Sequence, residues 1–445
     1  MTMRQLTALI NAQPVGVLRE SNDIWEFEYS PEWIVSAHGF DLSPVLSRAQ
    51  ILHRDGASNR PVQWYFDNLL PEEALRTVIA KEADIASDDA FALLAHFGAE
   101  SAGSLILIEQ GHAASIERGL KPLSLVDLSQ RIRNLSKESL TKDAPKKMSL
   151  AGAQHKMLVI LKEGQLFEPL PGTPSTHILK PEHLGDDYPA SVINEYFTMR
   201  LARAVGLEVP EVRRMPVPQP VYLVERFDRI TMHDGGDQPD EVLRKHIIDT
   251  CQLLNKARSF KYTAAHLDTL AQAIKLCRAK TAARLQLYRW LVFSILSGNG
   301  DNHLKNISFL VDASGINVAP AYDLLCTAVY ETKALAHDKV RWPDTQLAFF
   351  VGDAKTFGAV TRTHVLAAGR MLGLAEGTAK RELDRLLKAI PPEADKCIAE
   401  IETEFERDIA TSPDPDATRA PIAAERHVLR AIRHIVLTDM LKQIA

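Results

Sequence analysis

The sequence predicts an α+β fold in which a strand-rich first half is followed by a largely helical second half. Short β-type runs bounded by turn residues dominate up to about residue 230, and segments with helical periodicity dominate after residue 241. The chain has 445 residues, which is more than one hydrophobic core usually holds. We therefore expect two or three domains.

The composition is that of a soluble globular protein, with 46% hydrophobic and 24% charged residues. A net charge of -5 gives no general electrostatic basis for direct binding to nucleic acid. The four cysteines form no C-x-x-C pair, which argues against a zinc site and a disulfide framework. No apolar run is long enough for a membrane span, so we expect a cytoplasmic protein.

Residues 1–110 are predicted to form a small mixed N-terminal domain. The alternating run IWEFEYS at 24–30 predicts a strand, and SAGSLILIEQG at 101–111 predicts the strand that closes the domain. Residues 111–147 are polar and charge-rich, as in an exposed connector.

Residues 148–228 are predicted to form a β-rich lobe, and residues 229–445 a helical one. Strands are predicted in the β-rich lobe at 157–164, 176–182 and 220–229. The segment SVINEYFTMRLARAVGL at 191–207 has an apolar face with helical spacing, and Ser191 is predicted as its N-cap.

The segment SGNGDNHLKN at 297–306 follows the most apolar helix of this region and carries Asp301 and Asn306 with four residues between them. Protein kinases use an Asp and an Asn at this interval to orient the attacking hydroxyl and to hold Mg²⁺. The same residues are also good turn formers, so a structural turn is the alternative interpretation.

Other residues supply the partners that such a loop needs. Lys180 on a predicted strand suits phosphate binding, and Glu195 on the following helix is the candidate to hold it. Asp323, after a predicted hairpin strand, suits a second Mg²⁺ ligand. Lys305 is placed to neutralise a transferring phosphate, and His303 is interpreted mainly as a loop-stabilising group near the nucleotide. A solvent-facing lysine and a helix-capping aspartate are the alternatives for Lys180 and Asp323.

Two further segments are weaker candidates for nucleotide binding. The loop from Ser149 to Lys156 contains small residues, but it matches no standard phosphate-binding pattern. The run ERFD, from Glu225 to Asp228, ends a predicted strand where a hinge would contact the adenine ring. Salt bridges at a strand end are the common alternative for that run.

In their order along the chain, SLAGAQHK, THILK, INEYF, YLVERFDR, IIDTCQ, GNGDNHLKN and APAYDLL resemble the HipA-type serine/threonine kinase toxins. The N-terminal segments EFEYSPEW and YFDNLLPEE also resemble that family, so the likeness covers essentially the whole chain. It implies a two-lobed protein-kinase-like fold with a β-rich N-lobe, a helical C-lobe and an added small N-terminal domain.

The resemblance also implies roles for individual residues. Asp301 corresponds to the catalytic aspartate, Asn306 and Asp323 to the Mg²⁺ ligands, and Lys180 to the phosphate-binding lysine. Ser149 corresponds to a serine that the family autophosphorylates, which would inactivate the enzyme. The implied ATP-binding positions, including the flexible loop and the hinge, are Ala151, Gly152, Ala153, Gln154, His155, Lys156, Glu225, Phe227 and Asp228, with His303 and Lys305 nearby.

The family phosphorylates an aminoacyl-tRNA synthetase, commonly the glutamyl enzyme, and pairs with a helix-turn-helix antitoxin, HipB, that makes most of the DNA contact. The sequence departs from the family at Asn302 and Leu304, and its acidic segment 233–241 puts the choice of substrate in doubt. An aminoglycoside-type small-molecule kinase is one rival hypothesis, although the N-terminal domain has no place in it. A non-catalytic co-repressor is another, although it predicts the loss of at least one of the proposed catalytic residues.

Overall fold

The chain forms two compact units, each built from segments that are distant in sequence. The computed structural model describes residues 3–109, 117–135, 138–142, 144–146, 154–217, 219–232, 241–336 and 340–445. The first unit consists of Met1–Leu179, Glu225–Lys261 and Ser308–Ala319. The second unit consists of Lys180–Val224, Tyr262–Ile307 and Pro320–Ala445. The domain limits expected at residues 110, 147 and 228 stay predictions.

The strands of the described residues are β1 (Arg4–Ile10), β2 (Gln13–Ser21), β3 (Ile24–Tyr29), β4 (Leu52–Arg54), β5 (Leu105–Glu109), β6 (Leu120–Pro122), β7 (Met157–Lys162), β8 (Gln165–Pro169), β9 (His177–Pro181), β10 (Val212–Val217), β11 (Gln219–Glu225), β12 (Arg229–Met232), β13 (Glu241–Arg244), β14 (His246–Asp249), β15 (Ser308–Asp312), β16 (Gly315–Val318), β17 (Gln346–Val351) and β18 (Ala354–Thr356). The helices are α1 (Pro31–Val35), α2 (Pro61–Asp67), α3 (Glu73–Glu82), α4 (Ala90–Phe97), α5 (Leu125–Arg133), α6 (Ser191–Ala204), α7 (Thr250–Leu253), α8 (Leu267–Leu276), α9 (Lys280–Leu296), α10 (Arg362–Met371), α11 (Glu376–Thr411), α12 (Pro415–Ala431) and α13 (Thr438–Ile444). A π-helical turn, Ile432–Leu437, joins α12 to α13. The class is therefore α+β, as predicted.

The N-terminal part of the first unit is an antiparallel sheet in the order β4-β3-β2-β1-β5. Leu6 pairs with Leu18, and Leu18 pairs with Phe27, so three buried side chains form a row across one face. Phe66 of α2 packs against Phe27 with ring centroids 5.5 Å apart. The predicted strand at 24–30 is confirmed as β3, whose side chains alternate between buried and partly buried.

The first unit also contains strands of other antiparallel sheets. Strand β7 pairs with β8 and β9, and β6 pairs with β8. Strands β14, β15 and β16 form a three-stranded sheet, so the hairpin predicted before Asp323 is confirmed as β15 and β16. The predicted strands at 157–164 and 176–182 are confirmed as β7 and β9.

The second unit is mainly helical, and the long helix α11 packs against α6, α9, α10 and α12. Its core includes Phe197 of α6, Phe293 of α9 and Phe405 of α11, all fully buried. No helix in the described ranges combines the length and the apolar character needed to cross a membrane.

The chain beyond residue 241 is mostly helical, as expected, and beside the predicted hairpin of β15 and β16 it contains the short strands β13, β14, β17 and β18. Short apolar runs such as HIID do not reveal from periodicity alone whether they are helical. One expectation is corrected. Ser191 is the first residue of α6 and not its N-cap, which is Ala190 with a φ of 52°. The carboxylate of Glu182 instead accepts hydrogen bonds from Ser191 Oγ at 2.9 Å and from the Val192 backbone N–H at 3.1 Å. A long-range partner therefore replaces the local cap.

A buried carboxylate, Glu100, organises the polar interior of the first unit. Its Oε1 accepts from Arg226 at 3.1 Å and from Arg229 at 2.9 Å. Its Oε2 accepts from Lys146 at 2.7 Å and from Arg244 at 2.5 Å. Burial alone would raise the pKa of Glu100, but the four cations outweigh it and hold this pKa well below its usual range. The carboxylate is therefore charged, and its four cationic partners come from three stretches of the chain, which are those of Lys146, of Arg226 with Arg229, and of Arg244.

We expect Glu100→Gln to destabilise the protein by about 3–5 kcal/mol, the usual cost of breaking a buried ion pair by removing one partner. The variant keeps the volume of the side chain but leaves the surrounding cations without their shared counter-charge. Urea denaturation monitored by circular dichroism measures the effect. Glu28→Gln is the matched control, because the Glu28–Arg19 pair is partly exposed and should change stability by less than about 0.5 kcal/mol. Equal stability of the two variants would contradict the structural role of Glu100.

Candidate active site

The segment Ser297–Asn306 begins where α9 ends, and its fold depends on Gly298. This glycine has a φ of 68°, in the left-handed region that favours glycine. Its carbonyl accepts the Ala328 backbone N–H at 3.0 Å, and the Gly300 N–H donates to Thr327 Oγ1 at 2.6 Å. The chain that follows Asp323 therefore holds the start of this segment in place.

Within the segment, Asp301 and Asn306 are joined by a hydrogen bond. The Asn306 side-chain amide donates to the Asp301 backbone carbonyl at 2.9 Å, and a short 3₁₀ turn over Leu304–Asn306 brings it there. Asn299 Oδ1 accepts the Asp301 backbone N–H at 3.1 Å, which fixes the other side of the aspartate. The amide N–H₂ of Asn306 is thus used for positioning, and its oxygen is the end that has the chemistry of a metal ligand.

Lys180 lies at the centre of a second group of charges in the same unit. Its Nζ is 2.8 and 3.0 Å from the two carboxylate oxygens of Glu195 and 2.5 Å from Asp323 Oδ1. Burial lowers the pKa of Lys180, but Asp323 and Glu195 outweigh it, so the pKa is raised above its usual value. The lysine is charged at neutral pH. One ammonium faces two carboxylates, which leaves this group with an excess of negative charge.

Asp323 occupies a conformation that its neighbours impose. Its φ is 56°, which is uncommon for a residue other than glycine. Two residues beyond Leu324, the side chain of Asn194 holds the backbone of Cys326 through two hydrogen bonds. Asn194 Oδ1 accepts the Cys326 N–H at 2.7 Å, and Asn194 Nδ2 donates to the Cys326 carbonyl at 2.9 Å. On the other side, the Tyr322 hydroxyl donates to the Lys305 carbonyl at 2.7 Å. The Lys180 group and the Asp301 segment are therefore tied together through backbone contacts.

The structure places the remaining predicted site residues as follows. Lys305 and His303 are buried within the Asp301 segment. Gln154, His155 and Lys156 precede β7 in the first unit and are partly buried, whereas Ser149, Ala151, Gly152, Ala153 and most of segment 233–241 lie outside the described residues. Glu225 is exposed and Phe227 is partly buried, both at or just beyond the end of β11.

Asp228 is buried in the first unit and faces cations. Arg226 donates to its two carboxylate oxygens at 3.0 and 2.7 Å, and the Gly103 N–H donates to Oδ2 at 2.7 Å. Burial raises the pKa of Asp228, but the two neighbouring arginines outweigh it and lower the pKa to about 2. These contacts hold the chain that follows Glu225, and they are of the salt-bridge type that was the alternative interpretation.

Four residues at this site were not found by sequence reasoning: Tyr262, Asn194, Tyr322 and Thr327. Tyr262 donates from its hydroxyl to Asp301 Oδ1 at 2.5 Å, although the two residues are far apart in sequence. Asn194 and Tyr322 stand next to Glu195 and Asp323, so adjacency was the only available signal for them. Nothing in the local sequence distinguishes Thr327.

We expect Gly298→Ala to disrupt the Asp301 segment. A Cβ there would lie 2.6 Å from Val436 Cγ1 and 3.1 Å from the Ala328 Cβ. Gly164→Ala is the matched control, because Gly164 also has a positive φ, 80°, but open space around its Cβ. Both variants should lose about 1–2 kcal/mol through the left-handed backbone, and Gly298→Ala should lose about 1–3 kcal/mol more through overpacking. Thermal denaturation compares them, and equal losses would show that the close packing around Gly298 is unimportant.

Comparisons with known proteins show the family of the chain. Residues 148–394 match the HipA-like C-terminal domain, and residues 6–108 match the HipA N-terminal domain. The serine/threonine-protein kinase toxin HipA of Shewanella oneidensis is 31% identical over 396 residues, covering 85% of this chain and 84% of that protein. The putative kinase Y4mE of Sinorhizobium fredii is 34% identical over 344 residues, covering 74% and 79%.

A solved structure shows the same fold. HipA in the complex of Shewanella oneidensis HipA, HipB and operator DNA superposes with a TM-score of 0.75 at 25% identity, covering 98% of this chain and 99% of that one. The kinase-like fold predicted from the motifs is confirmed by this match. The chain belongs to the HipA family and is a serine/threonine-protein kinase of the HipA toxin type.

Proposed function

We propose that this kinase transfers the γ-phosphate of ATP to a serine or threonine of an aminoacyl-tRNA synthetase, with the glutamyl enzyme as the first candidate, and thereby arrests translation. The observation that carries the catalytic part is the joint presence of the Asp301–Asn306 loop and the Lys180–Glu195–Asp323 group in one unit. The substrate is inferred from family resemblance. The acidic segment 233–241 is the feature by which this chain would choose a different target.

Asp301 is proposed to receive the proton of the attacking hydroxyl. As the oxygen of the acceptor forms its bond to the γ-phosphorus, the bond to the β-phosphate oxygen breaks and ADP leaves. Asn306 and Asn299 hold the backbone of Asp301 from two sides, so the residue that carries the carboxylate is positioned before the substrate arrives. Lys305 is proposed to face the transferring phosphate and to offset the charge that develops there.

Lys180 is proposed to bind the α- and β-phosphates, with Glu195 holding it in place. The two Lys180–Glu195 contacts hold Lys180, which lies on β9, against Glu195 of α6. When a polyphosphate enters, its negative oxygens would compete with Asp323 for the same ammonium. The Lys180–Asp323 contact is therefore the one that nucleotide binding should change.

The donor set at this site fits Mg²⁺. Asp323 offers carboxylate oxygens with a side chain 33% exposed, and Asn306 offers an amide oxygen. Oxygen donors of this kind suit a hard cation, and the excess negative charge around Lys180 favours one. When bound, Mg²⁺ would shield the phosphate oxygens. Asn306 and Asp323 are the residues proposed to hold it.

The proposed nucleotide contacts of the first unit come from the loop at 151–156 and from the chain end at Glu225 and Phe227. Asp228 is assigned an indirect part, since its carboxylate is engaged by Arg226 and Gly103. We further propose an N-terminal subdomain over 1–110, a connector over 111–147, an N-lobe over 148–228 and a C-lobe over 229–445.

A helix-turn-helix antitoxin of the HipB type is the proposed partner. The likeness to a HipA that was solved with HipB and operator DNA supports this assignment. The net charge of -5 supports the view that the antitoxin makes most of the DNA contact.

We expect Asp301→Ala to reduce phosphate transfer from γ-labelled ATP by at least about 100-fold, the lower range for removal of a general base. The measurement is the label incorporated into purified glutamyl-tRNA synthetase and, in parallel, into a cell lysate. Asp312→Ala is the matched control, because Asp312 is an exposed residue at the end of β15. Equal labelling by wild type and Asp301→Ala would refute the catalytic assignment. Labelling of lysate proteins without labelling of the synthetase would refute only the substrate.

Self-inactivation through Ser149 has a separate test. A phosphate on Ser149 would add up to two negative charges to the proposed nucleotide loop, which should exclude ATP. We expect intact mass spectrometry after incubation with ATP to show one added phosphate in wild type and none in Ser149→Ala. A phosphate that persists in Ser149→Ala would show that the modified residue lies elsewhere and would remove the hypothesis of self-inactivation through Ser149.

A further inference from the structure

The hydroxyl of Tyr262 contacts the carboxylate to which the proposed mechanism assigns the substrate proton. It donates to Asp301 Oδ1 at 2.5 Å. The tyrosine ring stands edge-on to His303, with centroids 4.9 Å apart and an interplanar angle of 82°. All three residues belong to the second unit. The contact is thus held at both ends, by a hydrogen bond at the hydroxyl and by ring packing along the side chain.

This contact reproduces the one that an acceptor makes. In phosphoryl transfer the catalytic carboxylate accepts a hydrogen bond from the attacking hydroxyl and then takes its proton. The Tyr262 hydroxyl makes the same donor bond to the same carboxylate. Water is the competing acceptor, because it is small and always present.

We propose that Tyr262 determines which acceptor Asp301 can serve, by occupying the acceptor position until a protein hydroxyl displaces it. This inference rests on the proposed role of Asp301. In the reaction that Tyr262 blocks, a water oxygen would bond to the γ-phosphorus, the bond to ADP would break, and the proton would pass to Asp301. The result would be free phosphate and ADP without any modified protein.

The exposure of Tyr262 suits a residue that moves aside. Tyr262 is 45% exposed, so its displacement from Asp301 uncovers less apolar surface than displacement of a buried tyrosine would. By contrast, the neighbouring polar residues Asn299, Asn302 and Asn306 are buried. Tyr262 is therefore a contact of Asp301 that a docking protein can reach.

The test measures the ADP that the full chain forms from ATP, with Mg²⁺ present and without any protein acceptor. Only ADP beyond one equivalent of the enzyme is counted, so that autophosphorylation does not contribute. We expect Tyr262→Phe to raise this rate about fivefold, because loss of a hydrogen bond of about 1 kcal/mol corresponds to that factor. The KM for ATP should stay unchanged. Tyr196→Phe is the matched control, since Tyr196 donates to the carboxylate of Glu404 in the same unit and should leave the rate as in wild type.

Three other outcomes would overturn the inference. An equal rate in wild type and Tyr262→Phe would show that the hydroxyl does not exclude water. A lower rate in Tyr262→Phe would make Tyr262 a residue that positions Asp301 for every acceptor. A phosphate found on Tyr262 by peptide mass spectrometry would make it an acceptor itself. The variant Asp301→Ala separates these results from failure of the proposed function. If wild type and Asp301→Ala show the same ADP release and the same label transfer, the proposed catalytic role of Asp301 is wrong, whatever Tyr262 does.

Discussion

The interaction on which the site depends is the pairing of one buried ammonium, on Lys180, with two carboxylates. A lysine this buried must be paired, because an isolated charge in the interior is far too costly. Glu195 comes from α6 and Asp323 from the chain after β16, so satisfying this one charge fixes two separate elements. Asn194, next to Glu195, adds the backbone clamp on Cys326. The same helical turn thus supplies both the charge partner and the peptide clamp.

The Asp301 segment is organised by a different constraint, which is steric. Gly298 allows a left-handed turn against the π-helical region that contains Val436, and Thr327 accepts the N–H of Gly300. These contacts come from the chain just downstream of Asp323. Any displacement of Asp323 therefore also disturbs the loop that carries Asp301. The Lys180 group and the Asp301 segment are coupled through the backbone, so the order of the motifs along the chain has structural consequences.

Many elements of the fold and several site residues could be predicted from the sequence, because the patterns that indicate them are local. Strand alternation gave β3, helical spacing gave α6, and the four-residue interval identified Asp301 and Asn306 as a candidate pair. What could not be predicted depends on tertiary contacts. Ser191 has the residue type of an N-cap, but Glu182 from an earlier loop takes that task. Tyr262 carries no local signal, since only folding brings it to Asp301.

The two charge clusters also show what distinguishes a structural group from one that we propose to be functional. Around Glu100, cations outnumber carboxylates, yet every member is buried and the cluster joins distant segments. Around Lys180 the imbalance has the opposite sign, and Asp323 retains a side chain that is one-third exposed. An enclosed cluster can only stabilise the fold, because no ligand reaches it. A cluster with excess negative charge and an accessible carboxylate can exchange an internal contact for a cation or a phosphate, which is what a kinase must do at each turnover.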